Sequence, residues 1–386
     1  MCTFLKYINN SRQITGMVIL LSAFVLLSCE KDEGAPVPVP EPVNLQITIP
    51  AGSHWVTDEL QLGVQFNGKS DTTRSVNWST SNDTIATIDD SGKVLLKKEG
   101  EVTITAQYDK FSDNKTLQVL PMRVMYQTVG QNVNAIRSIN WSDLESFDVL
   151  TGTWEYSTPR MAPNKRALVY ADTIDRYNPD IFVYDFTKSK RIRIAGHERW
   201  DDQPSWDVSS EKIFFRSFRD NGLGSIFSYN LADSTVVNLT PNPSPAVFAN
   251  LDPAISPDGS HLAMSSNFSG GHDIWLYNLS TKSRTPAYET DVYEGEPAWS
   301  PDGAKLVFRA NFEDGSDLVI LNVETKTTKR LRIIGTERQP VWSPNGKFIV
   351  FAHEVENNPP YISYVNPENM EAKTLGIHLG YSPSFY

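Results

Sequence analysis

The sequence predicts an all-β chain, a small β-sandwich followed by a six-bladed β-propeller. Three observations carry this. First, Asp252-Pro253-Ala254-Ile255-Ser256-Pro257-Asp258-Gly259 returns as Glu296-Pro297-Ala298-Trp299-Ser300-Pro301-Asp302-Gly303 and again as Gln339-Pro340-Val341-Trp342-Ser343-Pro344-Asn345-Gly346, each copy followed by an alternating apolar run. Second, weaker copies at Pro159, Pro204 and Pro383 extend the series, and the six anchoring prolines stand 43 to 49 residues apart. That period suits a four-stranded propeller blade of roughly 40–50 residues. Third, residues 44–120 read as short alternating strands separated by turn signals, the pattern of a small sandwich.

From the N-terminus, Lys6 and Arg12 precede an uncharged apolar run, Ile14 to Leu27, which ends in Leu26-Leu27-Ser28-Cys29. A basic start, a short apolar core and small residues at the cut make a secretory signal, and the run is shorter than the ~20 residues a membrane-spanning helix needs. Residues 1–28 are therefore read as a signal peptide. The Leu-Leu-Ser-Cys stretch resembles the lipobox of bacterial lipoproteins, which implies lipidation at Cys29 and a membrane anchor through it. The two cysteines of the chain are Cys2 and Cys29, so the mature chain keeps no thiol for a disulfide or a thiolate metal site. Residues 29–43 form an acidic and proline-rich tether. Its Glu30-Lys31-Asp32-Glu33 resembles an export signal for the outer face of the outer membrane, and its proline stretch is a stiff spacer. The expected location is the outer membrane, surface-exposed, with a periplasm-facing arrangement as the alternative.

In residues 44–120, Trp78-Ser79-Thr80-Ser81-Asn82, Ala86-Thr87-Ile88, Gly92-Lys93-Val94 and Gly100-Glu101-Val102-Thr103-Ile104-Thr105-Ala106 follow in order. They resemble the bacterial immunoglobulin-like domain of group 2, with Thr80 in one serine position. The resemblance implies a spacer more than an adhesive module, since fold alone does not fix function.

Residues 122–386 resemble the TolB-type propeller, whose unit reads Pro-x-Trp-Ser-Pro-Asp-Gly followed by strands. The match is strong in the third to fifth repeats. It is weaker in the second, where Asp207-Val208-Ser209-Ser210 replaces the turn, and in the first. The last copy, Tyr381 to Tyr386, supplies one strand only, so residues 122–150 are expected to complete its blade and remove a free sheet edge. Short, similar turns then share one face, and the varied b–c and d–a loops share the other, where binding residues collect.

Residues that recur at one register read as scaffold: the Pro257-Asp258-Gly259 turn, Trp206, Trp299 and Trp342 as core, and Asp180, Asp273 and Asp317 as backbone-bonding groups. Residues that break the pattern on the varied face read as binding candidates: Arg199, Trp200, Arg216, Phe248, His272, Tyr293, Glu294, Arg309, Arg338 and His353. Aromatic rings among arginines and carboxylates suit a sugar or a peptide, with flat faces for stacking and charged forks for hydrogen bonds.

Signatures of catalysis are sparse. Neither a Gly-x-Ser-x-Gly elbow nor a phosphate-binding glycine loop occurs, and the Ser-Pro-Asp-Gly turn is one residue too short for a sialidase-type Asp box. No catalytic residue, metal ligand or cofactor is assigned. An enzyme alternative stays open, because His197, His272, His353 and His378 are expected to project toward the varied face from four blades. Oligogalacturonate lyases, whose propellers have similar repeats, assemble a metal site from such loops, and converging carboxylates suit glycoside hydrolysis. Nucleic-acid binding is not expected of an exported chain with a net charge of −11 and no basic stripe. The function expected is lipid-anchored, non-catalytic recognition of a glycan, as in polysaccharide capture, or of an envelope protein. The alternative is a metal-dependent polysaccharide lyase or glycoside hydrolase on the varied face.

Overall fold

The computed structural model describes residues 44–129, 134–152, 157–173, 178–220, 222–241, 248–356 and 358–386. The signal peptide, Cys29, the tether and the loop residues Arg176 and Tyr177 lie outside the described residues. Every regular element among them is a β-strand.

Residues 45–120 form three small sheets around a core that includes Ile47, Leu60, Val94, Ile104 and Val119. The longest pair, Gly100–Tyr108 and Phe111–Leu120, alternates buried and exposed residues, as the period-two pattern requires of strands with one wet face.

The rest is a ring of six four-stranded sheets. Blade 1 starts at strand Ser157–Met161, blade 2 at Asp201–Trp206, blade 3 at Asn250–Ile255, blade 4 at Tyr293–Trp299 and blade 5 at Thr336–Trp342. Blade 6 combines the C-terminal strand Gly380–Phe385 with Arg123–Val129, Asn134–Asn140 and Ser146–Gly152, and Gly380–Phe385 pairs antiparallel with Arg123–Val129. The two ends of the ring thus share one sheet, which satisfies edge groups that would otherwise be open.

Each seam between blades holds its own apolar cluster. Phe215 and Trp206 lie between blades 1 and 2, Met264 between 2 and 3, and Phe308 between 3 and 4. Phe351 lies between blades 4 and 5, Tyr126 between 5 and 6, and Tyr170 between 6 and 1. The recurring tryptophans serve this packing. The indoles of Trp206 and Trp299 also donate to Arg160 O at 2.9 Å and Ala254 O at 3.1 Å in the preceding blade.

The Ser-Pro-Asp-Gly turns share one geometry. Gly259, Gly303 and Gly346 take φ of 73°, 72° and 70°, where a Cβ is costly. The serine hydroxyl donates to the aspartate two residues on, at 2.5 Å for both Ser256–Asp258 and Ser300–Asp302. Of the recurring aspartates, Asp180 accepts from His197 N at 3.3 Å and also pairs with Arg193 at 2.7 Å, Asp273 accepts from Thr290 N at 3.1 Å, and Asp317 pairs with Arg330.

Candidate functional site

Every innermost strand carries an irregularity at its proline. The residues before the prolines, Thr158, Gln203, Asp252, Glu296, Gln339 and Ser382, all take positive φ between 47° and 57°. Six non-glycine residues in a conformation that side chains rarely adopt mark a repeated functional or structural constraint. The strand registers slip at these points, as in Gly295/Ala298 and Arg338/Val341, so each is a bulge that re-aims one side chain.

The re-aimed side chains clasp the next blade. Gln203 Oε1 accepts from Asp252 N at 3.0 Å, and Gln203 Nε2 donates to Asp252 Oδ1. Asp252 Oδ2 accepts from Glu296 N at 3.1 Å, Glu296 Oε2 from Gln339 N at 2.6 Å, and Gln339 Oε1 from Ser382 N at 2.9 Å. Blade 6 reaches blade 1 differently, through Ser384 Oγ donating to Pro159 O at 2.9 Å. Gln203, Asp252, Glu296 and Gln339, with Thr158 and Arg160, line a cavity of about 140 Å³ along the ring axis.

Burial raises Asp252 and Glu296 together, and the charge of Glu296 raises Asp252 further while Arg216 opposes it. The two carboxyls hold protons to higher pH than free ones do. Burial likewise lowers Arg160 to about 10.

Five of the sequence candidates surround this acidic centre. Arg216 forks onto Asp202 at 2.6 and 2.5 Å, and that pair raises its pKa against the effect of burial. Arg309 lies 3.6 Å from Glu296 Oε1 and 5.4 Å from the ring centre of Tyr293. Tyr293 is pushed up to about 12 by burial and by the Asp252 and Glu296 charges. Its hydroxyl lies over Gly295, where a Cβ would stand only 2.5 Å from it. His272 packs its ring 5.3 Å from that of Tyr293, and Arg338 pairs with Glu354 at 3.3 Å.

Arg199 and Trp200 lie apart from these five, in an open cleft of about 1170 Å³ between blades 1 and 2 that is also lined by Asn178, Arg193, His197 and Phe218. Trp200 is 50% exposed and meets Phe218 edge-on at 6.1 Å, and the Arg216 guanidinium stands 4.9 Å from the Phe218 ring. The cleft and the channel mouth are therefore joined through Phe218.

The remaining candidates are placed elsewhere. Phe248 packs against Phe268, the rings tilted and their centres 4.7 Å apart. Glu294 is fully buried, accepts from the Thr290 hydroxyl, and is pushed up to about 8 by burial. His353 is buried, with Nε2 2.8 Å from Ile334 O and Nδ1 3.2 Å from Ser363 Oγ, and burial lowers its pKa. Glu294 and His353 thus tie loops to the ring and face away from solvent. Among the described residues, no group of three or more His, Cys, Asp or Glu is arranged to hold a metal ion.

Gln203, Asp252, Glu296 and Gln339 are not among the sequence candidates, because they stand directly before the recurring proline, inside the repeat. A signal was present. The position before the proline is polar in all six repeats, yet its residue type changes from blade to blade.

Comparison with known proteins agrees with this architecture. Residues 45–119 match the family described as bacterial Ig-like domain (group 2), and residues 244–384 match the TolB beta propeller domain. The chain is 30% identical over 184 residues to the Tol-Pal system protein TolB of Francisella tularensis, covering 47% of this chain and 40% of that protein. It is 26% identical over 127 residues to the Helicobacter pylori protein of the same name, covering 33% and 30%. The matched stretch thus spans well under half the length of these relatives. Among solved structures, TolB from Acinetobacter baumannii aligns with a TM-score of 0.63 at 14% identity, covering 89% of this chain and 99% of that one. The putative TolB from Agrobacterium tumefaciens aligns at 0.55, also at 14% identity, covering 69% and 99%. This chain therefore joins an Ig-like β-sandwich, matching the group 2 bacterial family over residues 45–119, to a six-bladed β-propeller whose residues 244–384 match the TolB beta propeller domain.

Proposed function

We propose that the protein is a non-catalytic binding protein of the cell envelope, and that an envelope protein docks on its loop face over the channel mouth. The observation that carries this is the convergence of Arg216, Tyr293, Arg309 and Arg338 on the buried Asp252–Glu296 pair. Both charge signs stand there in fixed geometry, held from behind by the hydrogen bonds between blades. Such a centre suits a partner segment that brings its own charges and backbone groups. Apolar side chains stand exposed at surrounding loop tips: Trp200, Leu223, Phe268, Leu379 and, at 88% exposure, Ile334. Exposed apolar groups on a binding face favour a protein partner. The similarity to Tol-Pal system proteins supports the same reading and favours the periplasm-facing arrangement. Attachment through lipidated Cys29 remains part of the proposal.

A second reading has its own observation. The open cleft with half-exposed Trp200 and neighbouring Arg, His and Asn side chains suits a glycan stacked on the indole.

A photo-crosslinking amino acid placed at Ile334 in cells tests the first reading, with Val237 on the outer strand of blade 2 as control. The expected result is an adduct to one envelope protein from Ile334 alone, lost on Arg309→Ala. Equal labelling from both positions would overturn it. Binding on a glycan array that is lost on Trp200→Ala would move the assignment to the glycan. A hydrolysed or eliminated glycan product would revive the enzyme alternative.

A further inference from the structure

Two departures from the repeat fall side by side in blade 5. The turn after the third strong motif reads Ser343-Pro344-Asn345-Gly346-Lys347, where the other two read Ser256-Pro257-Asp258-Gly259-Ser260 and Ser300-Pro301-Asp302-Gly303-Ala304. Asn345 keeps the internal role of the aspartates, since its Oδ1 accepts from Ser343 Oγ at 2.7 Å. Its amide nitrogen does what an aspartate cannot. It donates to Thr57 Oγ1 and to Asp58 Oδ1, both at 3.1 Å, and these residues belong to the immunoglobulin-like domain. Lys347 stands where the other turns have a small residue, and its Nζ lies 3.0 Å from Thr57 O and 3.3 Å from Asp58 Oδ1.

The receiving loop is built for this contact. Thr57 takes φ of 75°, an unfavourable conformation for a β-branched residue. Strain of that kind persists only where the surroundings over-determine it. Thr57 N donates to Leu96 O at 2.8 Å, and Leu96 N donates to Asp58 O at 2.9 Å, so the loop is tied to the sandwich. Asp58 is only 8% exposed, and it also accepts from Trp55 N at 2.8 Å. Replacing Asn345 by aspartate would set two carboxylates against each other at this contact.

A second contact lies near the connection between the domains. Only Pro121 and Met122 separate strand Phe111–Leu120 from strand Arg123–Val129, and Met122 is buried. Arg123 Nη2 reaches both carboxylate oxygens of Glu99 at 2.9 Å.

We propose that the Ser343–Lys347 turn is a docking surface dedicated to the chain's own immunoglobulin-like domain, which is a fixed arm of the propeller rather than a mobile spacer. The contact uses the turn face and leaves the varied loops free. It also explains why, of the three strong copies, this turn alone carries Asn and Lys: the Asn345 amide and the Lys347 ammonium supply the donors that Asp58 and Thr57 require.

The test uses the full chain with Cys2 and Cys29 changed to Ser and spin labels at Asn114→Cys and Glu324→Cys, both exposed positions. The pairwise distance distribution is expected to be single and narrow. Asn345→Asp with Lys347→Ala gives blade 5 the turn sequence of blade 4, so the propeller is expected to fold as before, which circular dichroism checks. The distance distribution should broaden about twofold or more, as for domains joined by a small polar contact. Adding Asp58→Asn exchanges donor and acceptor and should narrow it again. A broad distribution in the starting chain, or a narrow one in the double variant, would overturn the proposal. Failure of Asp58→Asn to restore the narrow form would remove the Asn345–Asp58 pair as its cause.

Discussion

On the turn face, Asp258 and Asp302 bond within their own turns, and the Ser256 hydroxyl leads the groups that hold Asp258 down to about 2. Around the channel, Gln203, Asp252, Glu296 and Gln339 occupy one equally regular position of the same repeat, yet each side chain bonds to the next blade. The first set is alike in residue and role. The second is alike in backbone and differs in side chain. The comparison separates two kinds of regularity. A recurring residue reports a local backbone requirement, whereas a recurring conformation with changing residues reports a shared place facing a common centre. The channel centre is where charge, aromatic rings and buried carboxyls meet.

Three measurements bear on that comparison. The largest effect belongs to neither set. Phe351 fills the seam of blades 4 and 5 with no exposure, so Phe351→Ala is expected to cost about 3–5 kcal/mol in denaturant unfolding. A loss of under about 1 kcal/mol would mean that the polar clasps, not the seams, hold the ring. Next comes Gly295→Ala. Its Cβ would meet the Tyr293 hydroxyl at 2.5 Å and displace that ring from Arg309. Partner affinity should fall about tenfold, or ~1.4 kcal/mol, with the unfolding midpoint little changed. Unchanged affinity would remove Tyr293 from the binding centre.

The smallest effect is a pH dependence. Burial pushes Glu294 and Glu337 up to about 8 from an ordinary 4.5, and Asp201 up to about 6 from 3.8. Between the unfolded and folded values the native chain binds more protons than the unfolded one, so stability falls as pH rises through this window. Asp258 and Asp185, held down at about 2, act oppositely, and their contribution is lost as pH falls from 3.8 through 2. The thermal midpoint should therefore rise on going from about pH 9 to about pH 5. Glu294→Gln with Glu337→Gln should flatten that rise, and an unaltered slope would place its origin elsewhere.

The architecture was legible because its causes are local. Proline spacing set the blade length, the glycine turns and period-two runs set the strands, and the single-stranded last repeat called for a partner, which Arg123–Val129 supplies. Arg216, Tyr293, Arg309 and Arg338 broke the repeat on the loop face, and ring closure gathers them around the channel mouth that the proposed function takes as its site. Glu294 and His353 broke it for another reason, since both are buried and tie loops in place.

By itself, then, the sequence determined the fold class, the repeat and its closure, and which positions vary, because these follow from short-range patterning along the chain. Tertiary structure alone decided that Asp252 and Glu296 lie adjacent although 44 residues apart in sequence. It alone decided that Trp200 reaches Arg216 through Phe218, and that Asn345 meets Asp58 across 287 residues. The physical reason is the same in each case. Hydrogen bonds, ion pairs and desolvation depend on separations of a few ångströms through space, and closing the ring brings together residues that no local pattern relates.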